Sequence, residues 1–366
     1  MSKKNIAFVI YSLNSGGAER VVSTLANGLT KYYNVTIITF TDIPPFYELD
    51  EKVNVVYCFS NLQPSKNFID SISTNYNLFK QLKVKSKALS IDLLIGFMTN
   101  TNILTVLAAK SLKIPVLISE RINPKFSILP KLWSIMRRLT YPSANYLIIQ
   151  TEPIKHYFEA FVKKDKLKIL PNPISSVHRE FKEKINLPIK ENIVLSVGRL
   201  SNQKGHDIAI KAFTKLKPNN WELHIVGEGP KRKEYEELII KLKMTDKIKL
   251  IGRDNNISNY YLKSKIFIFP SRFEGFPNAL TEAMYMGLPS ISTDCPTGPS
   301  ELIDNDKNGY LIPVDDVENL TANLEILINN KSLRTKLGDN AALSVTHLEE
   351  DKVVEQWLKL ISESLN

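Results

Sequence analysis

Four consecutive apolar residues, Ile266-Phe-Ile-Phe269, stop at Pro270; a loop runs to Pro277, and Asn278-Ala-Leu-Thr-Glu-Ala-Met-Tyr-Met286 follows. A short apolar run bounded by turn residues, with helix formers beyond, is the pattern of a strand buried on both faces of a parallel sheet. Residues 270–277 then lie at that strand's carboxyl end, where ligands gather in open α/β sheets. Gly275 permits close backbone approach, Asn278 is a candidate N-cap, and Gly287 with Pro289 beyond closes the helix. A loop feeding a helix N-terminus offers N–H groups and partial positive charge, which suits the phosphates of a nucleotide.

The same alternation of apolar runs and helical stretches occurs twice. Strands are expected at 6–11, 35–40, 53–58, 92–97, 116–119, 146–150 and 168–170, with helices at 18–29 and 103–112 and near 153–161; 68–89 reads as mixed helix and loop. Leu170-Pro-Asn-Pro-Ile174 then breaks any regular element and is the best linker. The pattern restarts with strands at 193–197, 223–226, 248–251 and 266–269 and helices at 207–216, after 230, and within 320–342. A last amphipathic helix, 351–365, carries Val354, Trp357, Leu358 and Ile361. At 366 residues, against roughly 150 per domain, two domains are expected, each able to bury its own core.

A net charge of +10 favours anionic partners without choosing among nucleotide, nucleic acid and lipid. No basic platform interleaved with aromatics is visible, so nucleic acid is not expected as a partner. The two cysteines, Cys58 and Cys295, fall in different expected domains, which argues against a disulfide framework and fits a reducing compartment. The apolar run after Met1-Ser-Lys-Lys4 is too short for a signal peptide, and no later run reaches roughly eighteen residues. A cytoplasmic protein is expected, with any membrane contact peripheral.

Two acids frame the central loop: Glu274 before the helix and Glu282 in its second turn. Leu280, Ala283, Met284 and Gly287 can form the buried stripe, which Glu282 flanks. A carboxylate so placed suits paired hydrogen bonds from the vicinal hydroxyls of a ribose; a first-turn Glu favoured only by the helix dipole is the plain alternative. In Gly198-Arg-Leu-Ser-Asn-Gln-Lys-Gly205, Arg199 and Lys204 share a loop between glycines, either as solvated bases or as ligands for an anion. Asn14-Ser-Gly-Gly17 is a glycine turn between a strand and a helix, and is not the dinucleotide fingerprint.

Glu274-x7-Glu282 within Ser271-Arg-Phe-Glu-Gly-Phe-Pro-Asn278, followed by Gly287-Leu-Pro289, resembles the signature of the retaining GT-B glycosyltransferases of family 4. Ser15-Gly-Gly-Ala-Glu-Arg20 resembles the start of enzymes that extend lipid-linked bacterial surface or N-glycan oligosaccharides. The likeness spans nearly the whole chain. It implies the α/β GT-B class: two Rossmann-like domains facing a cleft, with 1–172 binding the acceptor, 173–346 binding the nucleotide sugar, and 347–366 a terminal helix crossing back to the first domain. It implies that Glu274 lies at the donor sugar, that Arg199 and Lys204 hold the diphosphate, and that Glu282 takes the ribose. Gly275, Phe276, Pro277 and Asn278 complete that side, Arg253 meets the base edge, and Gly16 and Gly17 approach from the N-terminal domain. Glu120 and Arg121 stand where many relatives place a His; a loop ion pair is the alternative for these two.

The implied reaction moves a hexose or N-acetylhexosamine from a UDP-sugar to a polyprenyl-diphosphate-linked glycan with retention. No cofactor or metal is expected: the histidines and cysteines lack zinc-type spacing, and Asp304-x-Asp306 sits in a turn before Lys307-Asn-Gly309. Residues 125–141 mix Phe126, Ile128, Leu129, Leu132, Trp133, Ile135, Met136 and Leu139 with Lys125, Lys131, Arg137 and Arg138. This basic amphipathic segment is expected either to lie on an anionic bilayer or to face the core with a solvated basic side. A sugar-nucleotide epimerase of the same architecture and a non-enzymatic nucleotide-binding protein are the alternative functions.

Overall fold

The computed structural model describes residues 3–60, 62, 67–124, 129–183 and 188–366. Two compact units divide the chain: Met1–Pro173 with Glu350–Asn366, and Ile174–Glu349.

The first unit is built on seven strands, β1 (Asn5–Ile10), β2 (Asn34–Thr41), β3 (Asn54–Phe59), β4 (Leu93–Phe97), β5 (Val116–Ser119), β6 (Tyr146–Ile149) and β7 (Leu167–Ile169). They pair in parallel in the order β3-β2-β1-β4-β5-β6-β7, with Ile6 opposite both Val35 and Leu93. Successive side chains of β1 enter different cores. Ala7 and Val9 join Ile103, Ile118 and Phe158 on one face, while Ile6, Phe8 and Ile10 join Val21, Leu25 and Trp357 on the other. Burial on both faces is why the sequence of β1 is continuously apolar.

The helix Glu350–Leu365 closes the second of those faces. Trp357 is fully buried and stacks on Phe97 with ring centroids 5.9 Å apart. Replacing Trp357 by Ala is expected to cost about 3–5 kcal/mol, seen as a lowered denaturant midpoint. The chain rejoins the first unit at 349/350, three residues later than expected at 347. The 3-10 turn Thr346–Leu348 belongs with the second unit because Leu348 is buried there and its carbonyl accepts from Ile174 N at 2.8 Å.

The second unit carries β8 (Ile193–Val197), β9 (Glu222–Val226), β10 (Ile248–Gly252), β11 (Ile266–Phe269), β12 (Ser290–Thr293) and β13 (Tyr310–Ile312). All are parallel, in the order β10-β9-β8-β11-β12-β13. Two local expectations are corrected. Phe68–Ala88 is one continuous helix, started by Asn67, whose side chain accepts from Asp70 N at 2.9 Å. Ser290–Thr293 forms β12, where the sequence pattern gave no strand.

In each unit the strand order reverses between two neighbours, β1/β4 and β8/β11. Connections leave in opposite directions there and open a crevice at the carboxyl ends of the strands. In the second unit that switch point is where residues 198–205 and 270–277 emerge.

Candidate functional site

The two loops at the β8/β11 switch point are laced together. Gly205 has φ +62°, and a Cβ there would lie 2.0 Å from the Pro270 carbonyl oxygen, so both conformation and proximity require glycine. Arg272 N donates to Gln203 O at 2.7 Å, and Gln203 Nε2 donates to Phe273 O at 3.0 Å. The Arg272 guanidinium bonds Asp207 through its two terminal nitrogens, at 3.0 and 2.9 Å, and Asp315 through Nε at 2.7 Å. Burial works to raise the Asp207 carboxyl, but the hydrogen bonds and charge of Arg272 outweigh it and hold it below the usual range. Bidentate geometry makes this brace stiff.

The brace sets Lys204 against Glu274. Lys204 Nζ donates to Glu274 Oε1 at 2.6 Å and lies 5.2 Å from the Phe269 ring centroid. The Glu274 side chain is 5% exposed and that of Lys204 20%, so the pair is largely desolvated. The loop after β12 supports it: Thr297, itself left-handed at φ +71°, donates to Glu274 O, and Gly298 at φ +105° lies so close to Pro277 that a Cβ would come within 2.5 Å of its Cδ. A non-glycine residue held left-handed beside a buried carboxylate is local strain of the kind found at working sites.

The helix Asn278–Tyr285 begins one residue earlier than expected. Pro277 occupies the N-cap position and Asn278 is the first helical residue, because Leu280 N and Thr281 N already bond the Pro277 carbonyl, at 2.9 and 3.1 Å. Gly275 and Phe276 are half-buried beside it, and Phe276 packs against the Leu280 core. Glu282 is buried, and its Oε2 accepts from the Tyr261 hydroxyl at 3.0 Å. Arg199 and Arg253 are exposed, on the loops after β8 and β10. Lys204 and Glu274 are thus brought into contact, with the aromatic and helical positions around them.

Sequence reasoning missed Arg272, Thr297 and His206. Arg272 sits inside the 271–278 motif, but its partner Asp207 is 65 residues away. His206 is buried beneath the 198–205 loop, with Nδ1 3.2 Å from Ser196 Oγ and Nε2 3.3 Å from Gly198 O. Burial pulls the imidazole from 6.5 to about 4, so the folded state holds it neutral. As pH falls from 6.5 towards 4, the unfolded chain binds a proton that the folded chain does not. Stability should therefore fall across that window by on the order of 3 kcal/mol. Denaturant midpoints from pH 7 to pH 4 should be flatter for His206→Asn than for the wild type.

In the first unit, Gly16 precedes the helix Gly17–Leu29, and the Glu19 carboxylate folds over it, 2.1 Å from where a Cβ would stand. Glu120 and Arg121 do not form an exposed loop pair. Glu120 is fully buried and accepts from Thr99 Oγ1 at 2.8 Å and Tyr141 OH at 2.7 Å; burial pushes its carboxyl up, against the pull of those bonds and of Arg137. Arg121 turns the other way, donating to Asn172 and stacking over Phe97 at 4.9 Å, and burial draws its guanidinium down.

The helix Lys131–Thr140 is amphipathic in an unexpected sense. Arg137 is buried, donates to the Tyr157 hydroxyl and lies over the Phe158 ring, drawn inward by the buried Glu120. Leu132, Ile135 and Leu139 face outward at 40, 55 and 68% exposure. Lys125, Phe126 and Ile128 lie outside the described residues. Cys58 and Cys295 are buried free thiols, pushed by burial to about 11 and about 12. Among the described residues no group of three or more His, Cys, Asp or Glu is placed to hold a metal ion, and no helix is long and apolar enough to cross a membrane.

Comparison with known proteins agrees with this architecture. Residues 15–176 match the model described as Glycosyltransferase Family 4, and residues 177–344 match Glycosyl transferases group 1. The chain is 34% identical, over 99% of each chain, to the GalNAc-alpha-(1->4)-GalNAc-alpha-(1->3)-diNAcBac-PP-undecaprenol alpha-1,4-N-acetyl-D-galactosaminyltransferase of Campylobacter jejuni. It is 29% identical, over 98% of this chain and 99% of the other, to that organism's N-acetylgalactosamine-N,N'-diacetylbacillosaminyl-diphospho-undecaprenol 4-alpha-N-acetylgalactosaminyltransferase. In fold it is similar to HepE of Anabaena, solved with UDP-glucose, at a TM-score of 0.79 and 17% identity over 98% of this chain and 99% of that one. The chain therefore belongs to the family 4 glycosyltransferases of the GT-B class, and is a hexosyltransferase.

Proposed function

We propose that this enzyme transfers a hexose or N-acetylhexosamine from a UDP-sugar to a polyprenyl-diphosphate-linked glycan, with retention at the anomeric carbon. The Lys204–Glu274 contact at the amino end of a helix, at the sheet's switch point, is the observation that carries this reading. A diphosphate there draws on Lys204, Arg199 and the helix dipole for its negative charge. Glu282 takes the ribose hydroxyls, Arg253 borders the base, and Gly275, Phe276, Pro277 and Asn278 line the sugar side. The C1–O bond to the diphosphate breaks, the acceptor oxygen bonds C1 on the same face, and the acceptor's hydroxyl proton passes to a β-phosphate oxygen of the departing UDP. Glu274 holds the sugar for that step. Charge neutralisation comes from the protein, so turnover should survive EDTA.

A panel of UDP-, GDP- and ADP-sugars read by thermal stabilisation tests the donor, because a ligand that prefers the native state raises its melting point. Stabilisation by UDP-sugars alone is expected; preference for GDP- or ADP-sugars would overturn the assignment. Isomerised sugar appearing without acceptor would favour the epimerase alternative.

A lipid-linked acceptor also calls for a membrane surface. The helix Thr99–Leu112 packs against both Phe68–Ala88 and Lys131–Thr140. The first of these neighbours exposes Ile69, Ile72 and Tyr76, and the second exposes Leu132, Ile135 and Leu139. Residues 68–166 hold fifteen Lys or Arg against six Asp or Glu; with the buried Arg121, Arg137 and Glu120 set aside, thirteen bases stand against five acids. Each base near an anionic bilayer adds about 1 kcal/mol, on top of insertion of the aliphatic side chains. Sedimentation with phosphatidylglycerol vesicles but not phosphatidylcholine vesicles is expected, lost in Ile135→Asp/Leu139→Asp with UDP binding intact. Equal binding to both vesicle types would remove this contact.

A further inference from the structure

Glu282 is held by an arrangement that the reaction itself does not explain. Three helices of the second unit meet at its carboxylate: Ser176–Lys182, Ile257–Lys263 and Asn278–Tyr285. Tyr261 donates to Oε2 at 3.0 Å, and His178 Nε2 lies 3.7 Å from the same oxygen. The other ring nitrogen, Nδ1, is 2.9 Å from Ser258 Oγ. The Tyr261 ring also packs edge-on against the imidazole at 5.8 Å. The side chains of His178 and Glu282 are 4% and 5% exposed, and Ser258 is 2% exposed.

Burying an imidazole beside a carboxylate costs desolvation, and an apolar side chain of similar volume would pack the same space without that penalty. Nε2 faces the carboxylate and Nδ1 faces the Ser258 hydroxyl; the negative charge favours the tautomer with its proton on Nε2, which leaves Nδ1 to accept from Ser258. The 3.7 Å separation is too long for a hydrogen bond, so the interaction is an oriented electrostatic one. Tyr261 and His178 both act on Oε2, which fixes the plane of the carboxylate and the direction of its second oxygen.

We infer that His178, held by Ser258, is a positioning residue for Glu282, setting the carboxylate to take the vicinal hydroxyls of a nucleoside diphosphate's ribose. This rests on the ribose assignment proposed above. His178 acts on the ribose subsite alone and leaves the diphosphate subsite at Lys204 untouched. The consequence is a discrimination between ribose and deoxyribose that depends on a residue with no contact to the ligand.

The test compares calorimetric binding of UDP and 2′-deoxyUDP to wild type, His178→Ala and His178→Gln. Hydrogen bonds to a charged group set the scale, so wild type should prefer UDP by about 10-fold or more. His178→Ala should reduce that preference to less than about 3-fold while the Kd for 2′-deoxyUDP moves less than about 2-fold, because one fixed charge-assisted bond is loosened and the phosphate contacts are kept. His178→Gln retains an N–H donor and should restore part of the preference, and the donor KM should follow the same order with kcat little changed. Ser258→Ala frees the ring without opening a large cavity and should shift the preference in the same direction, which serves if His178→Ala does not fold. Folded His178→Ala and Ser258→Ala proteins that keep the full preference would overturn the role of His178. A wild type that binds UDP and 2′-deoxyUDP equally, or binds neither, would instead remove the ribose assignment of Glu282, and the inference with it.

Discussion

Replacing Glu274 by Ala is expected to lower sugar transfer by about 10²- to 10³-fold or more, the range seen when one preorganised polar group is taken from a reacting centre. UDP binding should change by less than about 3-fold, since the proposed site sets the carboxylate at the sugar and leaves the helix terminus and bases to the nucleotide. The direction of any change is set by the Lys204–Glu274 contact at 2.6 Å. With the carboxylate gone, the ammonium is released to the diphosphate, so UDP should bind as well as before or more tightly. Glu274→Gln keeps a polar side chain of the same size and should retain more activity than Glu274→Ala. Parallel losses of turnover and UDP affinity would place Glu274 at the nucleotide instead of the sugar.

Lys204→Ala should behave differently, weakening UDP binding by about 10- to 100-fold, the worth of a hydrogen bond to a charged group, and slowing transfer as well. In the proposed reaction its charge is used twice: on the bound diphosphate, and more strongly on the leaving diphosphate as the C1–O bond breaks. A second loss is structural. Glu274 is 5% exposed, and removing its partner leaves a buried carboxylate that must find another or be protonated. Lys204→Ala should therefore lower the melting temperature of the free protein, whereas Arg199→Ala, on an exposed side chain of the same loop, should weaken UDP binding and transfer without doing so. Calorimetry with UDP and thermal unfolding of the two variants separate these effects. Unchanged UDP affinity in Lys204→Ala would remove it from the diphosphate site.

The parts of this site legible in the sequence are those whose physics is local. Ile266-Phe-Ile-Phe269 announces a strand because burial on both faces leaves no place for polar side chains. The loop and helix after it follow from proline, glycine and helix formers in succession. β12 is equally buried yet was not legible, because it hides its polarity. Ser290 Oγ donates to Leu288 O at 3.1 Å, Ser292 Oγ to Thr293 O at 3.0 Å, and Thr293 Oγ1 to Phe269 O at 3.3 Å. Satisfied hydroxyls can be fully buried, so the alternation of apolar residues that marks a strand is absent. The Arg272 brace and the inward turn of Arg137 share a different cause. Their partners, Asp207 and Glu120, lie 65 and 17 residues away in sequence and meet them only once parallel strands have brought distant loops together.

Amide hydrogen exchange of the full-length protein with and without UDP tests most directly whether the nucleotide lies at the switch point of the second sheet. UDP should slow exchange in 198–205, 252–254 and 272–283 and leave the remainder of both units unchanged. Protection confined to other segments, with these three unaffected while UDP is bound, would contradict the assignment.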